Sequence, residues 1–533
     1  MKTSLLLFAV AALAAPAFSQ SRLMTYGDVL GAPSTLVLSN VAPNTKCMII
    51  PSMLNIGSNA LVNMSGDPND SLLVGVDLAA NGTRFTETSD AQGVASVTIP
   101  IPASPGMLDR AVYWQGFEWP SGGSGTTMFS NFSNMRTMSL NTGNRWQAEQ
   151  SNAPISAALQ AYIGYSSTGN GGADRVFACG GGPVVLTDVT SPFTTKNSAW
   201  EYNLENGTHS LLSGTMNDSR AFHNGVKLQD GRFMVIGGNQ GPYGSAGNYY
   251  TKILNTCEIY DPSTGTWSNT ANMFKYRAGA TALVLPDGRV IVAGGSEGNS
   301  SHNLADVADL LGTALKTTEI YDPATNSWSW GPNMSEPKAG AMSVVLNDGR
   351  WMIAGGITHV TIFGLEIPDF SSNISIYNPT TNSFSNAGTM KDKRALGAMT
   401  VMGNGNVFIA GGGGGDILNI GPIRKTEVYN PSNSSTTRKS DLSNDSAFGV
   451  AVTLANGTAM VIGGANGSLD DPAPINNCWI YNDASGSLSA AASMPEAHAG
   501  GVVVVAEDGT VFISGGETNN GLATAAARSY SPN

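Results

Sequence analysis

The chain has 533 residues, of which only 12% are charged, with 64 glycines and a formal net charge of −12. That length exceeds one ordinary domain unless repeats build a larger one, and sparse charge with abundant Gly suits short strands and tight turns. The acidic balance argues against a general nucleic-acid role, because phosphate binding needs a clustered basic surface.

In chain order, residues 1–19 read as a secretory signal: Lys2, an apolar run from Leu5 to Ala15, Pro16, then Ala17-Phe18-Ser19, with cleavage expected after Ser19. No later segment is long and apolar enough to span a bilayer. The expectation is a secreted, extracellular protein, or one in the periplasm or at the cell surface if the source is bacterial. Asn206, Asn217 and Asn456 open Asn-x-Ser/Thr triplets, which are glycosylation acceptors only in a eukaryotic source.

Residues 20–130 carry period-2 strands such as 34–41 and 94–101 between Gly, Pro, Asn and Asp turns, the pattern of a small β-sandwich. The Gly- and Ser-rich stretch 120–131 is the natural linker, and residues 131–533 form the second domain.

In that domain a double glycine closes a short apolar strand seven times, ending at Gly181, Gly238, Gly295, Gly356, Gly412, Gly464 and Gly516. The spacing of 52 to 61 residues marks one supersecondary unit with variable loops. Six of the strands follow an Asn-Gly or Asp-Gly pair, from Asp230-Gly231 to Asp508-Gly509, as a tight hairpin requires. A third strand ends in Tyr202, Tyr260, Tyr321, Tyr377, Tyr429, Tyr481 or Tyr530. A fourth begins near Trp267, Trp328 or Phe384 and runs to Met216, Met273, Met334, Met390, Leu442 or Met494. Four antiparallel strands make one propeller blade. The last blade lacks a fourth strand after Tyr530, and 144–150 has that character without a blade of its own. The expectation is that it closes the ring and leaves no sheet edge open.

These residues closely resemble the kelch repeat: apolar strand, turn, double glycine, Tyr-Asp-Pro, Trp, then a Met-containing stretch. The resemblance runs from about Asn144 to the end and implies an all-β, seven-bladed propeller of the galactose oxidase-like superfamily.

Chemistry is expected on the face carrying the long loops between second and third strands, such as 296–317, 357–373 and 413–425. Loop 303–311 has the character of a helical turn. One slot ahead of each first strand holds Arg220, Arg277, Lys338, Arg394, Ser446 and His498, with Asn152 as the blade-one equivalent. Together with His223, the basic members suggest a collar for an anionic ligand. The competing reading is that these side chains bond carbonyls between blades.

The five histidines are His209, His223, His302, His359 and His498. Resemblance to galactose oxidase-like copper sites would require Tyr directly before His, but the preceding residues are Thr208, Phe222, Ser301, Thr358 and Ala497. No metal or cofactor is therefore expected. The kelch-type sialate mutarotases suggest instead that Glu336, Glu496 and Glu517 carry protons beside Arg277 or Arg394. The leading reading is an extracellular binding module for a glycan or protein ligand. The alternatives are a sialate mutarotase-like isomerase, a galactose oxidase-like copper oxidase, or a structural surface protein. The cysteines Cys47, Cys179, Cys257 and Cys478 are expected to form no disulfide within the propeller, since Cys257 and Cys478 hold equivalent slots in distant blades.

Overall fold

The protein's structure, a computed structural model, describes residues 22–26, 33–52, 61–63, 71–73, 85–101, 103, 111–119, 136–139, 143–149, 151–166, 173–183, 194–204, 207–245, 247–304, 313–362, 365–415, 420–468, 471–518 and 522–532. The signal-like segment 1–19 and the linker 120–131 lie outside them. Among the described residues there is no helix. The chain divides into two compact units at Gly143/Asn144, later than the boundary expected at 130/131. The reason is local: strand Arg136–Ser139 pairs with Ala111–Trp119 and so belongs to the first unit.

The first unit is a β-sandwich. One sheet joins Arg22–Tyr26, Pro33–Ser39 and Ala95–Pro100, and the other joins Phe85–Thr88, Lys46–Ser52, Ala111–Trp119 and Arg136–Ser139. Alternate residues of Pro33–Ser39 are buried, as the period-2 pattern requires. Leu36, Leu38 and Ile99 from the first sheet share a core with Cys47, Ile49, Val112 and Trp114 from the second.

The second unit contains seven four-stranded antiparallel sheets among the described residues. Six use four consecutive blade strands. The seventh takes Val502–Val505, Val511–Ser514 and Ala527–Ser531 from the end of the chain and Arg145–Ala148 from the start of the unit. In that closing pair Trp146 stands opposite Tyr530, the register in which Trp267 faces Tyr260 and Trp328 faces Tyr321. Trp146 Nε1 also donates to the Ala492 carbonyl of the preceding blade at 2.9 Å, as Trp328 Nε1 does to Ala271 at 2.8 Å. The fourth strands stop short of the expected methionines, at Leu211, Asn269, Trp330, Thr389, Arg438 and Ala490. The methionines follow, and their methyl ends cover the first glycine of the double glycine: a Cβ on Gly237, Gly294, Gly355 or Gly463 would meet Met273, Met334, Met390 or Met494.

A closed ring of backbone hydrogen bonds joins the blades. Leu159, Phe222, Gly279, Gly340, Leu396, Phe448 and Gly500 each donate N–H to the carbonyl of the preceding member, at 2.8–3.3 Å, and Leu159 closes on Gly500. All seven have φ between 52° and 64°, a left-handed conformation that costs a non-glycine residue free energy and persists only where its surroundings impose it. Glycine is required at two of them. A Cβ on Gly279 would lie 2.4 Å from the Phe222 ring, and one on Gly340 2.8 Å from Leu396. Each of these two glycines thus makes room for the large side chain of its ring neighbour, Phe222 before Gly279 and Leu396 after Gly340.

Candidate ligand-binding face

Antiparallel order places the second-to-third loops and the segments leading into each first strand on one face, and the hairpin turns on the other. The slot residues lie on this loop face, but they are buried. Arg220, Arg277, Lys338, Arg394, Ser446 and His498 are each at most 2% exposed. Every one reaches the carbonyl of the first glycine of its own blade: Arg220 to Gly237 at 2.8 Å, Arg277 to Gly294 at 2.6 Å, Lys338 to Gly355 at 3.1 Å, Arg394 to Gly411 at 2.8 Å, Ser446 to Gly463 at 2.8 Å and His498 to Gly515 at 2.6 Å. The left-handed turn at the double glycine leaves that carbonyl without a ladder partner, and the slot side chain supplies the donor. The backbone carbonyls of Arg220, Arg277, Lys338, Arg394, Ser446 and His498 meanwhile accept from the second glycine of the preceding blade. Geometry therefore assigns blade one's equivalent to Ala157, whose carbonyl accepts from Gly516, and not to Asn152. The Ala157 side chain has no donor, and Gln160 Nε2 covers the Gly180 carbonyl at 3.3 Å instead.

The sequence reading missed the carboxylates. Glu258, Glu319 and Glu427, all fully buried, receive Arg220 at 2.6 Å, Arg277 at 2.8 Å and Arg394 at 2.6 Å. Each also accepts two backbone N–H groups from the segment ahead of its blade, such as Phe274 and Lys275 on Glu319. The signal was present: all three stand two residues before a blade tyrosine. Where that glutamate is lost, the arginine is lost too. Ser375 accompanies Lys338, whose carboxylate partner is Glu336 at 3.0 Å, and Trp479 accompanies Ser446. In the last blade Arg528 stands at the glutamate position and pairs with Glu496, 4.0 Å from His498. Burial pulls the Arg277, Arg394 and Lys338 pKa values down, while the adjacent carboxylates oppose the shift. The expected proton carriers beside Arg277 and Arg394 are thus engaged elsewhere: Glu336 with Lys338 and Ser371, Glu496 with Arg528, while Glu517 is buried.

The histidines fall in five different blades. His209 occupies the fourth-strand aromatic slot opposite Tyr202, with Nδ1 2.9 Å from Ser151 Oγ, and burial lowers its pKa to about 4. His223 is buried, its Nε2 3.6 Å from Cys179 Sγ. Burial and then Arg220 hold it well below the ordinary histidine value. His302 stacks on Tyr276 at 3.8 Å, and His359 lies on the hairpin Ile357–Ile362/Leu365–Phe370. Among the described residues no three or more His, Cys, Asp or Glu side chains are grouped to hold a metal ion. Phe222, without a phenol, precedes His223. No histidine of the chain directly follows a tyrosine, so the Tyr-His pair that a galactose oxidase-like copper site would require is not present in that form. All four cysteines are unpaired and buried, and burial pushes the Cys179, Cys257 and Cys478 thiols up to about 12.

What remains open is the loop layer. In blades two to six the opposite face carries only tight turns, while this face gains small sheets. Asn239–Tyr243, Tyr250–Ile253 and Asn303–Leu304 join across two blades, so residues expected to start a helical turn are strand instead. The rest of that expected turn lies outside the described residues. Further additions are the 357–370 hairpin, the sheet of Arg394–Ala395, Gly413–Gly414 and Gly421–Pro422, and the hairpin Ala465–Gly467/Pro472–Pro474. Ile253, Ile357 and Phe370 anchor these loops in a cluster with Phe222, Tyr276 and Leu396.

Fold and repeat together define a kelch-repeat β-propeller preceded by a β-sandwich. The Kelch motif is matched over residues 226–274 and 277–335. Kelch-like protein 36 of Mus musculus is 24% identical over 318 residues, 59% of this chain and 45% of that protein. Galactose oxidase of Gibberella zeae is 23% identical over 273 residues, 48% of this chain and 37% of that protein. The chain thus spans less than half the length of each of these relatives. A fungal alcohol oxidase solved in complex with copper superposes with a TM-score of 0.51 at 16% identity, covering 73% of this chain and 76% of that one, a likeness of fold.

Proposed function

We propose that the chain is a non-catalytic binding module that holds a glycan or protein ligand on its long-loop face. One observation carries the reading. The ionisable slot side chains are buried in the blade frame, while the hairpins elaborated beyond the frame are added to one face. A rigid scaffold with elaborated loops on one side is the usual architecture of recognition. The engagement of Arg220, Arg277, Lys338 and Arg394 withdraws support from an anion-binding collar, and the ligand class rests on the loops. We further propose that the protein acts outside the cytoplasm, on the strength of residues 2–19.

The test compares residues 20–533 with a variant in which 359–368 is replaced by Asn-Gly. Both are applied to a glycan array and to purified candidate protein ligands. Binding by the first and its loss in the second, with unchanged melting, supports the proposal. Turnover of a bound sugar, or binding indifferent to the whole loop face, overturns it.

A further inference from the structure

The seven blades provide an internal control for every surface position. Opposite the glutamate position of the third strand, the fourth strands carry Leu211, Asn269, Trp330, Asn386, Arg438, Ala490 and Ala148. All seven are exposed, and their chemical variety shows that the fold demands nothing there. The position just after the recurring Met or Leu of each blade holds Asn217, Phe274, Ser335, Lys391, Ser443 and Pro495, again all exposed. Between the first and second blades these two positions meet as Asn217 and Asn269, hydrogen-bonded at 2.9 Å. Between the second and third they meet as Phe274 and Trp330, ring centroids 5.0 Å apart and planes inclined 35°.

Phe274 is 50% and Trp330 55% exposed, among the few large apolar side chains so open in the described residues. A repeat that tolerates Asn, Ser or Ala there has no need of two aromatic rings for its core, and half of each stays in water at a cost. Both lie where a fourth strand passes into the next blade, so they stand at the rim of the loop face.

We infer that Phe274 and Trp330 form a stacking platform for a neutral sugar ring, a reading that rests on the binding-module proposal and names its ligand class. The size fits: two adjacent rings match the C–H face of a pyranose, whereas a stable protein interface needs about 800 Å² per partner around an apolar centre. The setting fits as well. The exposed residues flanking the pair in the chain are Asn269, Asn272, Ser329, Asn333 and Ser335, amides and hydroxyls suited to sugar hydroxyls. Apolar C–H groups bind over the ring faces and the hydroxyls exchange water for side-chain partners.

Isothermal titration of the intact protein with cellohexaose, xylohexaose, mannohexaose and chitohexaose in turn tests this. At least one should bind, weakening about tenfold or more in Trp330→Ala and in Phe274→Ala, while Trp330→Phe retains most of the affinity. Leu211→Ala, at the same slot of another blade, should leave binding unchanged. Melting temperatures of all variants report folding, and the exposed positions should leave them near that of the parent. Binding that ignores Trp330→Ala and Phe274→Ala overturns the platform while a sugar-binding face stands. Failure of all four sugars to bind also overturns it, and a purified protein ligand that still binds the loop face would leave the module reading intact.

Discussion

Replacing Arg277 by Met removes a buried guanidinium while keeping most of its volume. The Gly294 carbonyl loses a bond of 2.6 Å, the Thr317 carbonyl one of 2.9 Å, and the fully buried Glu319 carboxylate loses its only salt-bridge partner among the described residues. Breaking a buried pair by deleting one side costs about 3–5 kcal/mol, because the remaining charge stays desolvated. With an unfolding entropy of about 2.1 cal/mol/K per residue, that loss over the repeat unit Asn144–Asn533 corresponds to a melting temperature lower by about 4–6 °C. Calorimetry and urea titration of the Arg277→Met, Glu319→Met and double variants measure it. The double variant should be less destabilised than the two single losses added together, since no lone charge is left. It should not regain full stability, because the Phe274 and Lys275 N–H groups lose their acceptor. The sixth blade, with Ser446 and Trp479 in place of the pair, already shows a neutral solution in which both halves change. If Arg277→Met melts with the parent protein, the slot is not part of the frame and the collar reading returns.

Three further outcomes are expected. A chain beginning at Asn144 should retain a cooperative propeller, whereas one beginning at Ser151 loses the strand whose Trp146 is 6% exposed and should melt lower; equal melting of the two refutes closure by Arg145–Ala148. His209, with its pKa lowered to about 4 by burial, stabilises the fold fully above its unfolded value near 6.5, and this contribution fades as pH falls from there toward 4. His209→Phe should therefore flatten the fall in melting temperature over that window, and an unchanged slope counts against a buried neutral imidazole. The thiols of Cys179, Cys257 and Cys478 should react with a disulfide reagent only after denaturation, and a peptide linking any two of them in unreduced protein would show the blade register to be wrong.

The sequence by itself determined the features that repeat. Double glycines, blade tyrosines and Asn-Gly or Asp-Gly turns are local requirements of strand and turn geometry, so their recurrence reads out the blades. The unmatched strand at 144–150 could be assigned to Tyr530 by counting. What tertiary structure decided is the fate of the slot arginines. Arg220, Arg277 and Arg394 look like a solvent-facing collar in the chain, because their charge is visible and their acceptors are not. Those acceptors are a glycine carbonyl 17 residues away and a glutamate 33 to 42 residues away, brought together only when a blade closes on its own first strand. The blade-one assignment failed for the same reason: Ala157 does its work with a backbone carbonyl, which leaves no mark in residue type. Likewise Phe274 and Trp330 are two ordinary aromatic residues in sequence, and only the packing of the second blade against the third makes them one surface.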